Sequence, residues 1–490
     1  MSLIRDIGKN SLIYTVTNFL QKGVSFLLLP VYTRYLTPQD YGIISVVFAI
    51  NGFLSVFFTL ALEGAVSRFY FDYKDEPEKL REFWGTLFVF IFLLSCGLGC
   101  LILGFGESLF KPVLNQIPFW PYAALGVVTI IFFPFFNIFL AVLQIQQRVR
   151  EFSMVSLSQF GVNLILTIGL VVFAGWGAQG PLAAGLITAV LFFGVTLVFL
   201  RDQFAICFRA HYLKEALVYS LPLIPHSLGG QLSSIIDRVF VNNFIGMAAA
   251  GLYNIGFMFG SILSYLTMNI QRAYFPVAMN AYKENSKEQF VQLKELGFFL
   301  MVVYSIFGTA LSLFSKELIW TIVTPEFLPA YMVVPFFAFT YVSFGVYYVL
   351  VTILFFNKSS TKFVSVATFL AALINIALNW TLIPHLGMVG AGLATLISQV
   401  LMTVFVGIIG RGLDPIRWNY LGLFFVPFLS FVYSMILLNI SFGVFWVETL
   451  VKLGAFLVFV FVLNYAIWRD GFYVIRKGGG LVRNLRRRPG

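Results

Sequence analysis

The chain of 490 residues is too hydrophobic for a soluble protein, because 59% of its residues are hydrophobic and only 11% are charged. Soluble domains contain about 25% charged residues and about 45–50% apolar residues. The hydrophobic runs continue along nearly the whole sequence, which favours one polytopic membrane domain over about three soluble domains. The formal net charge of +11 does not indicate nucleic-acid binding, since the basic residues lie in short loops and in a tail.

The three cysteines indicate neither a disulfide framework nor a zinc site. Cys96 and Cys100 lie four residues apart in an apolar segment that contains no His or carboxylate, and Cys207 lies in a polar loop. We expect packing roles for the first two, and no cofactor or metal. The first apolar run is long and has no small-residue cleavage site, so we expect it to remain as a transmembrane anchor.

Apolar runs of about 20 residues recur through the chain, and each is long enough to cross a bilayer as an α-helix. The tryptophans lie near the ends of these runs, where an amphipathic ring favours the membrane interface. We predict an all-α polytopic membrane protein with about fourteen transmembrane helices. The predicted spans are 10–35, 40–66, 83–104, 119–143, 153–175, 179–200, 217–244, 248–271, 293–313, 330–356, 362–383, 387–410, 418–439 and 444–468.

Basic residues identify the cytoplasmic side of the membrane. Most of the 32 Lys and Arg residues lie at the N-terminus, in alternate loops and in the C-terminal tail. The opposite loops hold only Arg34, Lys111 and Lys316. The positive-inside rule therefore predicts that both termini are cytoplasmic. We expect a multi-pass protein of a bacterial or archaeal cytoplasmic membrane.

The sequence also contains an internal repeat. Residues 67–71, Ser-Arg-Phe-Tyr-Phe, recur as residues 271–275, Gln-Arg-Ala-Tyr-Phe, at the end of the corresponding helix. Gly177-x-x-Gly180 likewise recurs as Gly387-x-x-Gly390. Matches in corresponding helices suggest two pseudo-symmetric lobes of about six helices each, followed by two more helices.

The repeat predicts an N-lobe (1–210), a C-lobe (211–412), two C-terminal helices (413–468) and a basic cytoplasmic tail (469–490). Both halves start in the cytoplasm, so they would be parallel repeats related by an axis along the membrane normal. Transporters built in this way bind their substrate in the cavity between the lobes. The tail is expected to associate with anionic lipid of the inner leaflet.

The predicted span 217–244 has an unusual composition for a membrane helix. It contains Pro222 and Pro225, which free backbone carbonyls and favour a hinge, and the adjacent charged residues Asp237 and Arg238. A charge at mid-bilayer costs roughly 2.5–3.5 kcal/mol even on a lenient scale, so such residues usually face protein or a wet cavity. Adjacent helical residues point about 100° apart, so the two are expected to contact different neighbours.

Other charged residues lie within or at the ends of the predicted spans. An arginine fork can hold a phosphate through two hydrogen bonds and a lysine acts as a point charge, so a cavity lined by them would bind an anion. The structural alternatives are snorkelling of the arginines to lipid headgroups and buried ion pairs of Lys22 and Arg238 with Glu63 or Asp237. The candidate cavity residues are Lys22, Arg34, Glu63, Arg68, Arg238 and Arg272.

A coupling-cation site is a second candidate. Asn375 and Asn379 lie four residues apart, on one face of a predicted helix. Together with Asp237 and Thr395 they could form an oxygen-lined site for Na⁺, with H⁺ as the other candidate coupling ion. The structural alternative is that the asparagines join neighbouring helices by hydrogen bonds.

The last predicted span carries Glu448 and Lys452 four residues apart. This spacing places both side chains on one face of a helix, so we expect them to pair with each other. His226 and His385 lie beside prolines near helix ends, and we expect them to be structural.

A family resemblance is carried by the segment Leu29-Pro30-x-Tyr32-x-Arg34-Tyr35-Leu36-Thr37-Pro38-x-Asp40-Tyr41-Gly42, with the helix of Asp237 and Arg238 midway along the chain. It resembles the polysaccharide-export flippases of the multidrug/oligosaccharidyl-lipid/polysaccharide exporter superfamily. The resemblance implies two six-helix lobes, alternating access, and transfer of an undecaprenyl-diphosphate-linked oligosaccharide from the cytoplasmic to the outer leaflet.

The two extra helices resemble those of the lipid II flippases, which help to form a groove for the polyprenyl tail. The resemblance also implies a cation site that contains an acidic residue of the seventh helix and polar residues of the eleventh and twelfth. Asp237, Asn375 and Asn379 match those positions.

The sequence therefore predicts a flippase for cell-surface polysaccharide biosynthesis and not an enzyme. Its expected partners are the lipid-linked oligosaccharide, the lipid bilayer and other polysaccharide-assembly proteins; the polymer, whether O-antigen of lipopolysaccharide, capsule or another exopolysaccharide, stays open. One alternative is a cation-coupled multidrug exporter of the same superfamily, which would favour an acidic cavity. The other is a membrane-embedded polysaccharide polymerase or ligase, which would be expected to carry a sizeable outer loop.

Overall fold

The computed structural model describes residues 28–201, 203–440 and 445–469, together with Thr17, Leu20, Gly23 and Phe26. All regular structure within these residues is helical. Twelve helical segments among them are long and apolar enough to cross a membrane. The prediction of an all-α polytopic membrane protein is therefore confirmed.

The described residues form eighteen α-helices. The first nine are α1 (Leu29–Tyr35), α2 (Pro38–Thr59), α3 (Leu62–Tyr73), α4 (Pro77–Leu114), α5 (Ala124–Ile145), α6 (Val149–Ile168), α7 (Gln179–Leu200), α8 (Ala210–Ser220) and α9 (Ile224–Phe244). The second nine are α10 (Met247–Gly260), α11 (Ile262–Glu284), α12 (Lys287–Leu313), α13 (Ser315–Ile322), α14 (Val334–Phe356), α15 (Thr361–Leu386), α16 (Met388–Arg411), α17 (Tyr420–Leu438) and α18 (Phe445–Arg469).

The twelve membrane-length segments correspond in order to twelve of the predicted spans. Of the other two, span 10–35 lies mostly outside the described residues. Span 217–244 is divided into the end of α8, a 3₁₀ turn at Leu221–Leu223 that contains Pro222, and α9. α9 is long enough to cross a membrane, but its polar side chains keep it out of the apolar set. The total of about fourteen stays a prediction.

The described chain divides into two compact units. The first consists of residues up to 254 together with 322–327, and the second of 255–321 and 328 onward. The division falls within α10 rather than at the predicted repeat boundary near residue 210. Compact packing does not test a sequence repeat, so the four predicted regions stay a prediction.

In the first unit, the start of α2 is fixed by a capping box. The Thr37 side chain accepts a hydrogen bond from the Asp40 backbone N–H, and the Asp40 carboxylate accepts one from the Thr37 N–H. Asp40 also accepts a hydrogen bond of 3.0 Å from the backbone N–H of Ala178, directly before α7. Thr37 followed three residues later by Asp40 has the spacing of a capping box, which the structure contains, and the same carboxylate joins the starts of two helices.

Also in the first unit, α2 and α10 cross with their backbones in contact at two glycines. A Cβ atom added to Gly42 would lie 1.8 Å from the carbonyl oxygen of Met247, and one added to Gly251 would lie 1.9 Å from that of Pro38. Gly42 lies four residues after Pro38, and Gly251 lies four residues after Met247. Each glycine therefore contacts the carbonyl oxygen of the residue four positions before the other glycine. This reciprocal crossing permits only glycine at both positions, and we call it the glycine crossing.

In the second unit, α14 lies at the centre of the core and packs against α11, α12, α16 and α17. Most of its side chains are buried, because neighbouring helices surround it on several sides. The fully buried ring of Tyr304 from α12 lies against Gly345 of α14, where an added Cβ would be 2.3 Å from a ring carbon. Tight packing of this kind holds one wall of the groove described below.

The loop between α16 and α17 is organised by Asp414. Its carboxylate accepts hydrogen bonds from Trp418 Nε1 at 2.7 Å, the Tyr282 hydroxyl at 3.0 Å and the Ile416 backbone N–H at 2.9 Å. Burial raises the pKa of the Asp414 carboxyl above its ordinary value, and these three donors partly offset that rise. Asp414 therefore ties the end of α11 to the start of α17.

Candidate functional site

In the first unit, two adjacent charged residues of α9 contact two adjacent residues of α10. Asp237 is only 7% exposed and accepts a hydrogen bond of 2.8 Å from the hydroxyl of Tyr253. Arg238 donates from Nε and from Nη2 to the Oδ1 atom of Asn254, each at 3.3 Å. The two charges therefore contact different neighbours, as the sequence predicts from the direction of adjacent helical side chains.

The turn between α9 and α10 makes these contacts possible. Gly246 has a φ of 122°, which favours glycine, and it reverses the chain between the two helices. α10 therefore lies beside α9, with its polar residues Tyr253 and Asn254 opposite the charged pair. A short connection between helices usually produces such antiparallel neighbours.

The other candidate cavity residues of the first unit are not joined to this pair by any described hydrogen bond or ion pair. Arg34 is exposed near the end of α1, and it makes no ion pair with a described residue. Glu63 is half-buried in the first turn of α3. Arg68 forms an ion pair of 2.8 Å with Asp72, one turn further along α3. Lys22 lies outside the described residues.

In the second unit, the polar residues predicted for a cation site lie together. Asn375 and Asn379 of α15 are 4% and 0% exposed. The Asn379 amide donates to Asn375 Oδ1 at 3.1 Å, and the Asn375 amide donates to Thr395 Oγ1 of α16 at 3.4 Å. Asp237 belongs to the first unit, so the four-residue set is divided between the units. The contacts agree with interhelical hydrogen bonding, and the cation role stays a prediction.

Arg272 also belongs to the second unit. It lies in α11 with an exposed side chain, and no hydrogen bond or ion pair joins it to another described residue. Its position near the end of a predicted span agrees with a ligand role and also with snorkelling to headgroups.

An apolar groove of about 570 Å³ lies in the second unit, between α14, α16 and α17. Its lining is formed almost entirely by aliphatic and aromatic side chains, so it suits a hydrocarbon rather than a sugar or an ion. The lining residues are Phe339, Ser343, Val346, Leu396, Val400, Val404, Tyr420, Leu421, Leu423, Phe424, Phe425, Pro427, Phe428 and Phe431.

Sequence reasoning missed two features. The first is the role of Tyr253 and Asn254 as hydrogen-bond partners of Asp237 and Arg238. An Asn in an apolar helix indicates a buried polar contact, but the sequence does not identify the residue that it contacts. The second concerns Glu448 and Lys452, for which the expected local pair is wrong. Each forms an ion pair with α13 instead.

Nothing in the described part of the chain suggests a metal centre, since no group of three or more His, Cys, Asp or Glu side chains could hold an ion there. The family profile described as "Polysaccharide biosynthesis protein" matches residues 7–281, which is more than half of the chain. The chain belongs to this polysaccharide biosynthesis family. The predicted resemblance to polysaccharide exporters is thereby confirmed.

A shorter relative matches most of this chain. The chain is 26% identical over 407 residues to the Lsg locus putative protein 1 of Haemophilus influenzae, a match that covers 79% of this chain and 95% of the relative.

Two solved structures share its fold. Lipid II flippase MurJ, in an inward closed conformation, superposes with a TM-score of 0.71 at 15% identity, over 94% of this chain and 99% of that chain. An inward-facing multidrug resistance MATE family transporter of the MOP superfamily superposes with a TM-score of 0.61 at 14% identity, over 81% and 94%. The protein is therefore a multi-pass membrane protein whose fold is that of flippases and transporters.

Proposed function

We propose that this protein flips an undecaprenyl-diphosphate-linked oligosaccharide from the cytoplasmic to the outer leaflet of a bacterial or archaeal cytoplasmic membrane, by alternating access. The observation that carries the proposal is the apolar groove between α14, α16 and α17. A polyprenyl tail is a long hydrocarbon that would lie in such a groove, whereas its diphosphate and sugars need polar side chains. Membership of a polysaccharide biosynthesis family supports the sugar component.

For the diphosphate, Arg238 is the strongest candidate. Its contact with Asn254 orients the planar guanidinium, whose fork matches two phosphate oxygens. Arg34 and Arg272 are exposed and have no acidic partner among the described residues, so they are the next candidates. Arg68 is paired with Asp72 and ranks below them.

Two further candidates complete the headgroup site. Lys22, in the first helix of the predicted N-lobe, would supply a point charge to the diphosphate. The half-buried carboxylate of Glu63 would accept hydrogen bonds from sugar hydroxyls.

Transport would be coupled to Na⁺ or H⁺. Asp237 of the first unit is the charged candidate ligand, and Asn375, Asn379 and Thr395 of the second unit are the neutral oxygen candidates. The burial of Asp237 and of both asparagines supports this assignment, because buried oxygen atoms can replace the water ligands of a bound cation.

A multidrug exporter is the second candidate function, because the fold is also shared with a MATE transporter. The first experiment is deletion of the gene, followed by measurement of which membrane face holds the full-length lipid-linked oligosaccharide. We expect accumulation on the cytoplasmic face. Unpolymerised units already on the outer face would indicate a polymerase or ligase, and unchanged lipid-linked pools would favour a drug exporter.

The second experiment tests the headgroup site. Arg238→Ala and Lys22→Ala should each lower export by at least about tenfold while the protein still inserts, because a phosphate would lose its charged partner. Arg238→Lys should retain part of the activity. Arg209→Ala is the matched control, since Arg209 lies in the loop directly before α8, pairs with Glu82 of α4 and has a side chain that is 54% exposed. Wild-type export by both alanine variants would refute the assignment.

A further inference from the structure

The last helix, α18, presents mostly apolar side chains on its surface. Leu450, Leu457 and Phe461 are 67%, 59% and 71% exposed. In lipid such side chains gain nothing by turning toward other helices, because hydrocarbon tails are as apolar as leucine. The position of α18 must therefore be set by its specific contacts with the rest of the second unit.

One face of α18 makes four such contacts, which we call the docking face. Its residues recur at intervals of three or four, so they form a single stripe along the helix. Two aromatic contacts flank two ion pairs. The docking face pairs Phe445 with Trp320, Glu448 with Lys316, Lys452 with Glu317 and Phe456 with Phe314.

The two ion pairs are buried to different degrees. Lys452 Nζ lies 2.7 Å from Glu317 Oε1, with side-chain exposures of 4% and 10%. Lys316 Nζ lies 3.1 Å from Glu448 Oε2, with side-chain exposures of 29% and 6%. The second carboxylate oxygen of Glu317, Oε2, is buried without a hydrogen-bond partner in the described structure. The charge of Glu317 therefore depends strongly on Lys452.

The order of the charges is specific. α13 presents Lys316 and then Glu317, whereas α18 presents Glu448 and then Lys452. Each helix carries one charge of each sign. If α18 shifted so that the partners were exchanged, Lys452 would lie beside Lys316 and Glu448 beside Glu317. Buried like charges repel strongly, and this arrangement selects one register of the two helices.

The docking face is connected to the apolar groove through α17. The hydroxyl of Tyr433 in α17 donates a hydrogen bond of 2.7 Å to the backbone carbonyl of Ala455 in α18. Its ring also stacks on Phe459 at a centroid distance of 5.0 Å. Because α17 forms one wall of the groove, α18 contributes to the support of that wall, together with α12 and α14.

We propose that Lys316, Glu317, Glu448 and Lys452 are positioning residues for lipid-tail binding. The two ion pairs fix α18 on α13, and α18 in turn holds α17 at Tyr433, two residues beyond the groove-lining Phe431. The four residues do not contact the tail. The link to tail binding rests on the proposed flippase function, whereas the docking of α18 does not.

The docking is tested by disulfide formation in the full-length protein in membranes, with Cys96, Cys100 and Cys207 replaced. The ring centroids of Trp320 and Phe445 lie 4.6 Å apart. A disulfide between Trp320→Cys and Phe445→Cys therefore reports contact of the two helices. Lys452→Met should lower the cross-linking yield by at least about fivefold, since it leaves a buried carboxylate without its partner.

The matched variant reverses all four charges, K316E, E317K, E448K and K452E together. It preserves both ion pairs and should restore at least about half of the cross-linking yield. Wild-type cross-linking by Lys452→Met would overturn the proposal. A fully reversed protein that inserts but does not cross-link would overturn it as well.

The effect on tail binding is measured by transport into proteoliposomes with undecaprenyl and farnesyl versions of the same diphosphate-sugar substrate. Lys452→Met should raise KM for the long-tailed substrate and leave kcat and the short-tailed substrate unchanged, and the reversed variant should restore KM. An unchanged KM despite lost cross-linking would overturn the positioning role. If the wild-type protein moves neither substrate, the proposed function fails and the cross-linking result still decides whether α18 docks through its charges.

Discussion

The glycine crossing and the docking face fix helices in two different ways. At the glycine crossing, Gly42 and Gly251 let two backbones touch without any side chain between them. At the docking face, long side chains carry buried charges across the space between α13 and α18. Hydrocarbon gives neither pair of helices a hydrophobic reason to associate, so shape specifies the first contact and charge specifies the second.

This difference predicts opposite sensitivities. The glycine crossing should respond to side-chain volume, because an added atom meets a carbonyl oxygen directly. The docking face should tolerate changes in volume and respond to the loss of a single charge. Four substitutions separate these expectations, in order of decreasing effect.

Lys452→Met should have the largest effect, a loss of about 3–5 kcal/mol of stability, because it leaves Glu317 buried without its cation. This loss of stability is measured by thermal unfolding in detergent, with gel filtration as the readout of the fraction that stays folded. The control is Lys452→Met with Glu317→Leu, which removes both charges and should recover most of the stability. If the double variant is as unstable as the single one, volume rather than charge determines the contact.

Gly42→Ala should cost about 2–3 kcal/mol, because the new methyl group meets the Met247 carbonyl and the two backbones must separate. Gly161→Ala in α6 is the matched control, since nothing lies within 4 Å of its added Cβ. The same thermal measurement should show the control at or above wild-type stability. Equal melting of the two variants would contradict the close crossing.

Asp414→Ala should cost about 1–2 kcal/mol, because Trp418 and Tyr282 would lose a buried acceptor. The Asp414 carboxylate is held by hydrogen bonds and not by a basic side chain. It therefore represents a third kind of contact, beside the backbone contact of the glycine crossing and the ion pairs of the docking face. Asp414→Asn keeps one acceptor oxygen for these donors, so it should be milder than the alanine variant. An Asn variant as unstable as the Ala variant would assign the role to charge.

Asp72→Asn should have the smallest effect, less than about 0.5 kcal/mol, because water screens its pair with Arg68. Both side chains are nearly half exposed, at 44% and 49%. A large loss of stability here would show that ion pairs stabilise this protein irrespective of burial, and the docking face would no longer be a special case.

Some of the candidate site was predictable from local chemistry. The different directions of Asp237 and Arg238 follow from helix geometry alone, and the capping box at Thr37 and Asp40 follows from residue spacing. Asn375 and Asn379 lie in contact because four residues make about one helical turn. None of these predictions needs to know which helices are neighbours.

Partners that are distant along the chain were not predictable. The spacing of Glu448 and Lys452 permits a local pair, and the sequence contains nothing that favours Lys316 and Glu317, more than a hundred residues earlier, over that local alternative. Likewise, nothing in the sequence distinguishes Gly251 from other small residues. Only the structure shows that it contacts the backbone of α2. The Asn254 contact of Arg238 belongs to the same class.

The sequence by itself determined that this is an all-helical membrane protein, and it determined the order of its spans and the family to which it belongs. These properties depend on composition, on runs of about 20 apolar residues and on a local motif. Only the tertiary structure decided which helices touch at glycines, which charges are paired and where the apolar groove lies. In lipid the apolar faces of helices are nearly equivalent, so neighbours are chosen by complementary shape and charge, and both require the folded chain.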